Sequence, residues 1–223
     1  MKSEIYFPKE DSYFFIQILE KHIPKFLNQK PNSTLLEMGS GSGIHLESLS
    51  RLGIKKQNIF SCDINPLSVR HCKKLGFSCV HSDLFSNIKD LRLPSEAIKE
   101  VAFPRREGRL SEGNLKGRLN VKETLVSLQC PSFDLIIFNP PYLPKNSSEP
   151  ENSRVATTGG ILGSEVINEF LRQARHYLNE NGKIFLLTSS LSGKIDFLDY
   201  NKKILAKKKL FFEELIIWEM MIL

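Results

Sequence analysis

Cysteine is scarce, with four among 223 residues, and the four positions make no metal-binding or disulfide pattern. Cys62, Cys72, Cys79 and Cys130 form no C-x-x-C pair and none stands near a histidine at zinc-ligand spacing. Cys62 and Cys79 fall in apolar, strand-like runs, so buried reduced thiols are expected rather than a metal site. No apolar stretch approaches the ~20 residues needed to span a bilayer. The start, Met1-Lys2-Ser3-Glu4, lacks the apolar core of a signal peptide, and a cytoplasmic protein is expected. No internal repeat is present. His45, His71 and His81 are scattered over helix and loop positions, with no acid–base–nucleophile triad, and are expected at the surface or as caps. The formal net charge of +6 is a modest basic excess. It suits an acidic or RNA-associated partner without establishing one.

What is present is an alternation of strand and helix signals in a chain long enough for one domain, or one domain with an insertion. Ser12 to Leu27 has helical periodicity, with Asp11 or Ser12 as a possible cap and Pro24 expected to kink or shorten it. Thr34 to Met38 reads as a buried strand, followed by a glycine-rich turn and a helix from Ile44 to Leu52. Strand-like Asn58 to Cys62 ends at Asp63, helix-like Leu67 to Leu75 follows, and Phe77 to Val80 is a third strand ending near Asp83. Phe133 to Phe138 is a fourth strand. Glu165 to Leu178 reads as a helix stopped by Asn181-Gly182, and Lys183 to Thr188 as a fifth strand. The segment from about Lys208 onward offers a closing hairpin. This order predicts an α/β fold with a mostly parallel sheet and helices on both faces. Residues 86–130 break the rhythm: they are charged, carry three glycines and lack periodicity, and are expected to form a flexible insertion with at most a short helix near 121–128.

Two strand ends carry the chemistry. Glu37-Met38-Gly39-Ser40-Gly41-Ser42-Gly43 is a strand-to-helix turn whose small residues let a ligand approach free backbone N–H groups. Its spacing departs from the G-x-G-x-x-G of dinucleotide folds. Glu37, two residues before the first glycine, would repel a pyrophosphate but can help hold an ammonium group. That favours S-adenosylmethionine over NAD. Asp63 lies about 20 residues on, where an acid accepts hydrogen bonds from ribose hydroxyls. Asp83 ends the next strand, within reach of an adenine edge.

Asn139-Pro140-Pro141-Tyr142 follows the apolar run Phe133 to Phe138. Ligands in open α/β sheets sit beyond the carboxyl ends of strands. Asn139 offers a side-chain carbonyl and Pro140 a backbone carbonyl, two acceptors held by consecutive prolines of fixed φ. Tyr142 adds a flat face. Such a set can hold a planar NH2 group and present its nitrogen to an electrophile.

Glu37 to Gly43, Asp63-Ile64-Asn65-Pro66, Asp83 and Asn139 to Tyr142 together resemble the class I methyltransferases that modify planar amino groups. Tyr6-Phe7-Pro8-Lys9-Glu10-Asp11-Ser12-Tyr13 and Gly159-Gly160-Ile161-Leu162-Gly163-Ser164-Glu165 narrow the resemblance to the short archaeal and eukaryotic branch of the HemK family. The resemblance implies a Rossmann-like, seven-stranded sheet with a C-terminal antiparallel hairpin. It implies methylation of the glutamine amide in the Gly-Gly-Gln motif of a class 1 translation termination (release) factor. It places Glu10, Asp11, Ser12, Glu37, Gly39, Ser40, Gly41, Gly43, Asp63, Ile64, Asp83, Leu84 and Asn139 beside S-adenosyl-L-methionine. It makes Asn139, Pro140, Pro141 and Tyr142 the catalytic set. It also implies a small zinc-binding activator subunit paired with an edge strand, here Phe77 to Val80. The insertion at 86–130 and the short region after Gly193 depart from the family pattern. The rival reading is an adenine-N6 methyltransferase acting on RNA or DNA, because adenine N6 is also a planar amino group and Tyr142 could stack a flipped base.

Overall fold

The computed structural model describes residues 5–93, 98–99, 130–146 and 156–222. Its main sheet is built from β1 (Leu35–Met38), β2 (Ile59–Asp63), β3 (Ser78–His81), β6 (Phe133–Phe138), β7 (Leu178–Ser189), β8 (Tyr200–Leu210) and β9 (Glu213–Ile222). These seven strands lie in the order β3-β2-β1-β6-β7-β9-β8. The first five are mutually parallel, and β9 runs antiparallel to both β7 and β8. The expected architecture, a mostly parallel sheet closed by an antiparallel hairpin, is the one observed. A separate antiparallel pair joins β4 (Ile98–Lys99) to β5 (Cys130–Pro131).

The central strands are buried on both faces because helices cover both, so they read as continuous apolar runs rather than as alternating patterns. One face carries Leu35, Ile59, Leu135, Ile137, Phe185 and Leu187 under α1 (Glu10–Gln29), α2 (Ile44–Arg51) and α3 (Pro66–Lys74). The other carries Leu36, Phe60, Ile136, Phe138, Ile184 and Leu186 under α4 (Glu165–Ala174) and the segment Phe85 to Leu91. Helix α4 presents Ile167, Phe170, Leu171 and Ala174, all fully buried, at the i, i+3, i+4, i+7 spacing of one helical face.

Several local expectations are corrected. Helix α1 runs through Pro24 to Gln29 instead of stopping short. Pro24 sits on the solvent side, so water can satisfy the carbonyl that its missing N–H leaves behind, while Ile23 and Phe26 anchor the last turns in the core. Lys9 occupies the N-cap position, and Asp11 and Ser12 are buried inside the first turn rather than capping it. Helix α4 ends at Ala174. Asn181, at φ 58°, and Gly182 then form an irregularity inside β7, between the pairings Phe133↔Leu178 and Leu135↔Lys183. Ile88 and Leu91 are buried, so the packed chain continues past residue 86, where the insertion was drawn. The short helix expected at 121–128 lies outside the described residues. Phe77, expected on the third strand, is a buried core residue just before β3, which is an edge strand of the sheet.

Candidate active site

A cleft of about 840 Å³ opens beyond the carboxyl ends of β1, β2, β3 and β6. That volume is within the range of sites for cofactor-sized ligands. Its walls come from the start of α1, the glycine turn after β1, the ends of β2 and β3 and the segment after β6. Of the residues singled out in the sequence, the cleft is lined by Glu10, Asp11, Ser12, Gly39, Ser40, Gly41, Asp63, Ile64, Asp83, Leu84, Asn139, Pro140, Pro141 and Tyr142. Two of the set, Glu37 and Gly43, are not on its wall. Gly43 faces α3, where an added Cβ would stand 3.0 Å from Leu75 and 3.2 Å from Cys72.

The glycine turn is shaped by β2. The N–H groups of Gly39 and Ser40 both donate to the Cys62 carbonyl, at 2.9 and 3.1 Å. Asp63 completes the clamp: one oxygen accepts from Gly41 N at 2.8 Å and more weakly from Ser40 Oγ at 3.4 Å, the other from Asn65 N at 2.7 Å. Burial pushes the Asp63 carboxyl up, and these donors partly pull it back. An ionised carboxylate has about four acceptor sites. Two of its contacts brace the glycine turn and the third holds the chain just after β2, so Asp63 shapes the cradle as well as facing it.

Glu37 lies behind this wall. Its Oε1 is 2.7 Å from Nδ1 of His45, whose Nε2 is 3.3 Å from the Ser12 carbonyl oxygen. Both side chains are buried. His45 is therefore neither a surface nor a capping residue: it joins β1, α2 and α1. Burial pushes His45 down, but the bond and charge of Glu37, with help from Ser12 and Asp11, outweigh it and hold the imidazolium above its ordinary range. Burial pushes the Glu37 carboxyl up against the pull of His45. Its second oxygen, Oε2, is buried and unpartnered among the described residues.

The central feature is the state of Asn139. Its Nδ2 donates to Asp11 Oδ2 at 2.8 Å, and Asp11 also accepts from the Tyr6 hydroxyl at 3.2 and 3.3 Å. An ionised carboxylate can only accept, so the amide must turn its nitrogen to Asp11 and its oxygen away. That oxygen, Oδ1, is buried and has no partner among the described residues. Burying a polar atom without a partner is costly. An unpaired acceptor on the wall of a cleft is what a site built to receive an N–H donor would keep. Burial, and secondarily the charge of Asp11, pushes both the Tyr6 and Tyr142 phenols up, so both stay neutral.

The segment after β6 is held from its other side by residues 157–163. Leu143 N donates to Thr157 O and Gly159 N to Leu143 O, each at 2.9 Å, and Leu143 bridges Thr158 in parallel. Backbones approach so closely here that a Cβ on Gly159 would stand 2.5 Å from the carbonyl oxygens of Pro141 and Gly163. A Cβ on Gly163, at φ +84°, would stand 2.5 Å from that of Tyr142. The Ser192 hydroxyl donates to the same Tyr142 carbonyl at 3.2 Å.

Comparison with known proteins fits this geometry. No family model matches the chain. It is 28% identical to a provisionally named protein N5-glutamine methyltransferase of Methanocaldococcus jannaschii, over 96% of this chain and 90% of that one. It is 24% identical to Mtq2, the catalytic subunit of the eRF1 methyltransferase of Schizosaccharomyces pombe, over 82% of this chain and 72% of that one. Among solved structures, the E. cuniculi Mtq2-Trm112 complex superposes with a TM-score of 0.59 at 21% identity, over 97% of this chain and 98% of that one. A T. thermophilus 16S rRNA methyltransferase bound to AdoMet and guanosine gives 0.52 at 16% identity, over 96% of this chain and 43% of that one. The chain has the fold of the class I methyltransferases. The resemblance to the short HemK branch, drawn from the N-terminal motif and Asn139 to Tyr142, is borne out by these relatives.

The cleft wall also includes residues that the sequence did not assign to the site. Tyr6, Leu143, Thr158, Leu210 and Glu213 line the cleft. Asp11 was singled out as a neighbour of the cofactor, not as the partner of Asn139. Spacing offered no hint of that pairing, because 128 positions separate the two residues. Gly159 and Gly163 were noticed as a motif without a role, although two close-set glycines ahead of a helix signal a close backbone approach.

Proposed function

We propose that the chain transfers the methyl group of S-adenosylmethionine to the side-chain amide nitrogen of a glutamine, the one in the Gly-Gly-Gln motif of a class 1 translation termination factor. The observation that carries this reading is the buried, unpartnered Oδ1 of Asn139, fixed in orientation by Asp11. A primary amide brings two N–H donors. One meets Asn139 Oδ1 and the other the Pro140 carbonyl, so the nitrogen is held at a fixed place and angle. The residues present fit the cofactor. Gly39 to Ser42 form a side-chain-poor cradle at the start of α2, Ile64 gives an apolar surface, and Asp63 and Asp83 offer acceptors. The buried Glu37–His45 pair backs the cradle and supports its shape. S-adenosylmethionine supplies a methyl carbon already activated by a sulfonium. The chain's own contribution is therefore mostly positioning. No general base is required before transfer, because the alkylated nitrogen can shed its proton afterwards to water.

The M. jannaschii relative, named for protein glutamine N5 methylation, supports a glutamine amide as acceptor, and the S. pombe relative supports a termination factor as its carrier. An assembly of Mtq2 with Trm112 supports a heterodimer for this chain too, and the resemblance to the short HemK branch implies a small zinc-binding activator along the edge strand β3. That strand is short, parallel on its inner side and unpaired on its outer side among the described residues, with Val80 partly exposed and His81 exposed. A substrate in translation termination places the reaction in the cytoplasm, and no described helix is long and apolar enough to cross a membrane. The test is labelled methyl transfer to a Gly-Gly-Gln-bearing release factor and to RNA, with and without the activator. Label on the glutamine is expected. Label only on adenine would overturn the reading in favour of a nucleic-acid methyltransferase.

A further inference from the structure

Three loops stand together on the Tyr142–Leu143 side of the cleft mouth and are bonded to one another. The first, residues 159–164, is tied to the second, 189–193, by Gly193 N donating to Leu162 O at 2.8 Å. The second is tied to the β8–β9 turn: Ser190 N donates to Glu214 O, Glu214 N donates to Ser190 Oγ, each at 2.9 Å, and Ser189 Oγ donates to Glu213 at 2.5 Å. The first loop is braced from within. The Glu165 carboxylate accepts from Leu162 N at 2.9 Å and Ser164 N at 3.1 Å. Leu210, Glu213 and Thr158, which flank these loops, line the cleft itself.

What the loops display is apolar. Ile161 is 76% exposed, Leu162 61%, Leu191 42%, and Phe211 and Phe212 at the hairpin tip 92% and 94%. Isolated exposed apolar side chains are ordinary; five on three interlocked loops beside one opening are a surface with a use. The three loops themselves contain no lysine or arginine, and the charges that flank them are mixed: the carboxylates of Glu165, Glu213 and Glu214 beside Lys145, Lys194 and Lys209. In the lysine run 207–209, Lys207 pairs with Glu214 at 2.7 Å and Lys208 stands over the Phe14 ring at 5.8 Å.

The geometry points to this rim as the docking surface for the folded protein substrate, gripping apolar side chains that flank its glutamine loop. The inference rests on the glutamine reading given above. A glutamine has only two methylenes between main chain and amide. If its amide meets Asn139, its main chain must lie at the cleft mouth, with its protein within reach of the loops that flank it. A nucleic acid delivering adenine would instead bring its phosphates against apolar loops that supply no lysine or arginine of their own, where phosphate contacts need basic groups. Large rigid side chains at the centre of an interface carry most of its binding energy, and Phe211 and Phe212 are positioned for that role.

The test is the paired substitution Phe211→Ser and Phe212→Ser in the full chain with its activator. Both side chains point into solvent, so the fold and the affinity for S-adenosylhomocysteine, measured by calorimetry, stay as they were. The KM for a folded Gly-Gly-Gln-bearing release factor is expected to rise by about ten-fold or more with kcat nearly unchanged. Should the tip variant lose cofactor affinity, Leu191→Ser on the neighbouring loop gives the same readout. An unchanged KM would overturn the rim and leave the glutamine reading standing. Failure of the unsubstituted chain to methylate that factor would overturn the glutamine reading itself, and the rim with it. Methylation of RNA by the unsubstituted chain, lost in the variant, would overturn the assignment of a protein to this surface.

Discussion

Replacing Asp11 with alanine probes the orientation of the Asn139 amide without touching Asn139 itself. In the structure the Asp11 carboxylate is buried, accepts from Asn139 Nδ2 at 2.8 Å and is the hydroxyl partner of Tyr6. Removing it leaves two donors without an acceptor. The productive orientation of Asn139 would then strand a buried N–H group, at a cost of about 1–3 kcal/mol. The flipped orientation, with Oδ1 turned into the vacated space and the nitrogen facing the substrate, becomes competitive. Because that cost falls on the productive orientation alone, methyl transfer should slow by about 5- to 150-fold. The assay is single-turnover transfer of labelled methyl, run beside calorimetry of S-adenosylhomocysteine. Asp11 also lines the cleft, so the calorimetry separates lost cofactor contact from lost orientation. A variant with wild-type turnover would refute the argument that the carboxylate sets the amide. So would a loss accounted for wholly by weaker cofactor binding.

Other outcomes follow from neighbouring features. Asn139→Ala should retain the fold and cofactor affinity and lose methyl transfer, because it removes the one side-chain acceptor at the end of β6; near-normal turnover of the purified variant would eliminate its role. Gly159→Ala should lower thermal stability by about 1–3 kcal/mol and reduce transfer, since its Cβ would be 2.5 Å from backbone oxygens that cannot give way as a side chain would, and an unchanged melting temperature would contradict the close approach. His45→Gln should alter how stability depends on pH. In the folded protein the His45 pKa lies above its unfolded value of about 6.5, so the stability it contributes is fully present below that pH and is lost as pH rises through the raised folded pKa. Thermal melts across the neutral and mildly alkaline range should therefore fall more steeply in the wild type than in the variant, and parallel curves would dismiss the buried ion pair as the source.

The parts legible in the sequence are those encoded by local pattern. The strand ends at Asp63 and Phe138, the glycine turn and the Asn139–Tyr142 segment were found because an apolar run stops at a residue with distinctive chemistry. The parts missed depend on distant pairing. Glu37 and His45 sit on consecutive elements, but nothing in their spacing says that a helix will bring an imidazole onto a strand's carboxylate. Most of β8 was hidden for a different reason. Tyr200 to Leu210 carries five lysines, and as an outer strand with much of its surface in solvent it has little need of the apolar alternation that reveals half-buried strands. Pro24 misled because the rule against helix-interior proline weakens where the helix is exposed on that side and anchored on the other.

The sheet order has a consequence for how the molecule is made. Strand β1 lies between β2 and β6, and its pairing of Leu35 with Leu135 spans one hundred positions. During synthesis the nascent chain carries a central strand with one flank bare until that late segment leaves the ribosome, a wait of about 5–20 s at ordinary elongation speeds. The amide-binding loop lies directly beyond β6, so the newborn chain cannot assemble its reaction centre before the sheet acquires its middle.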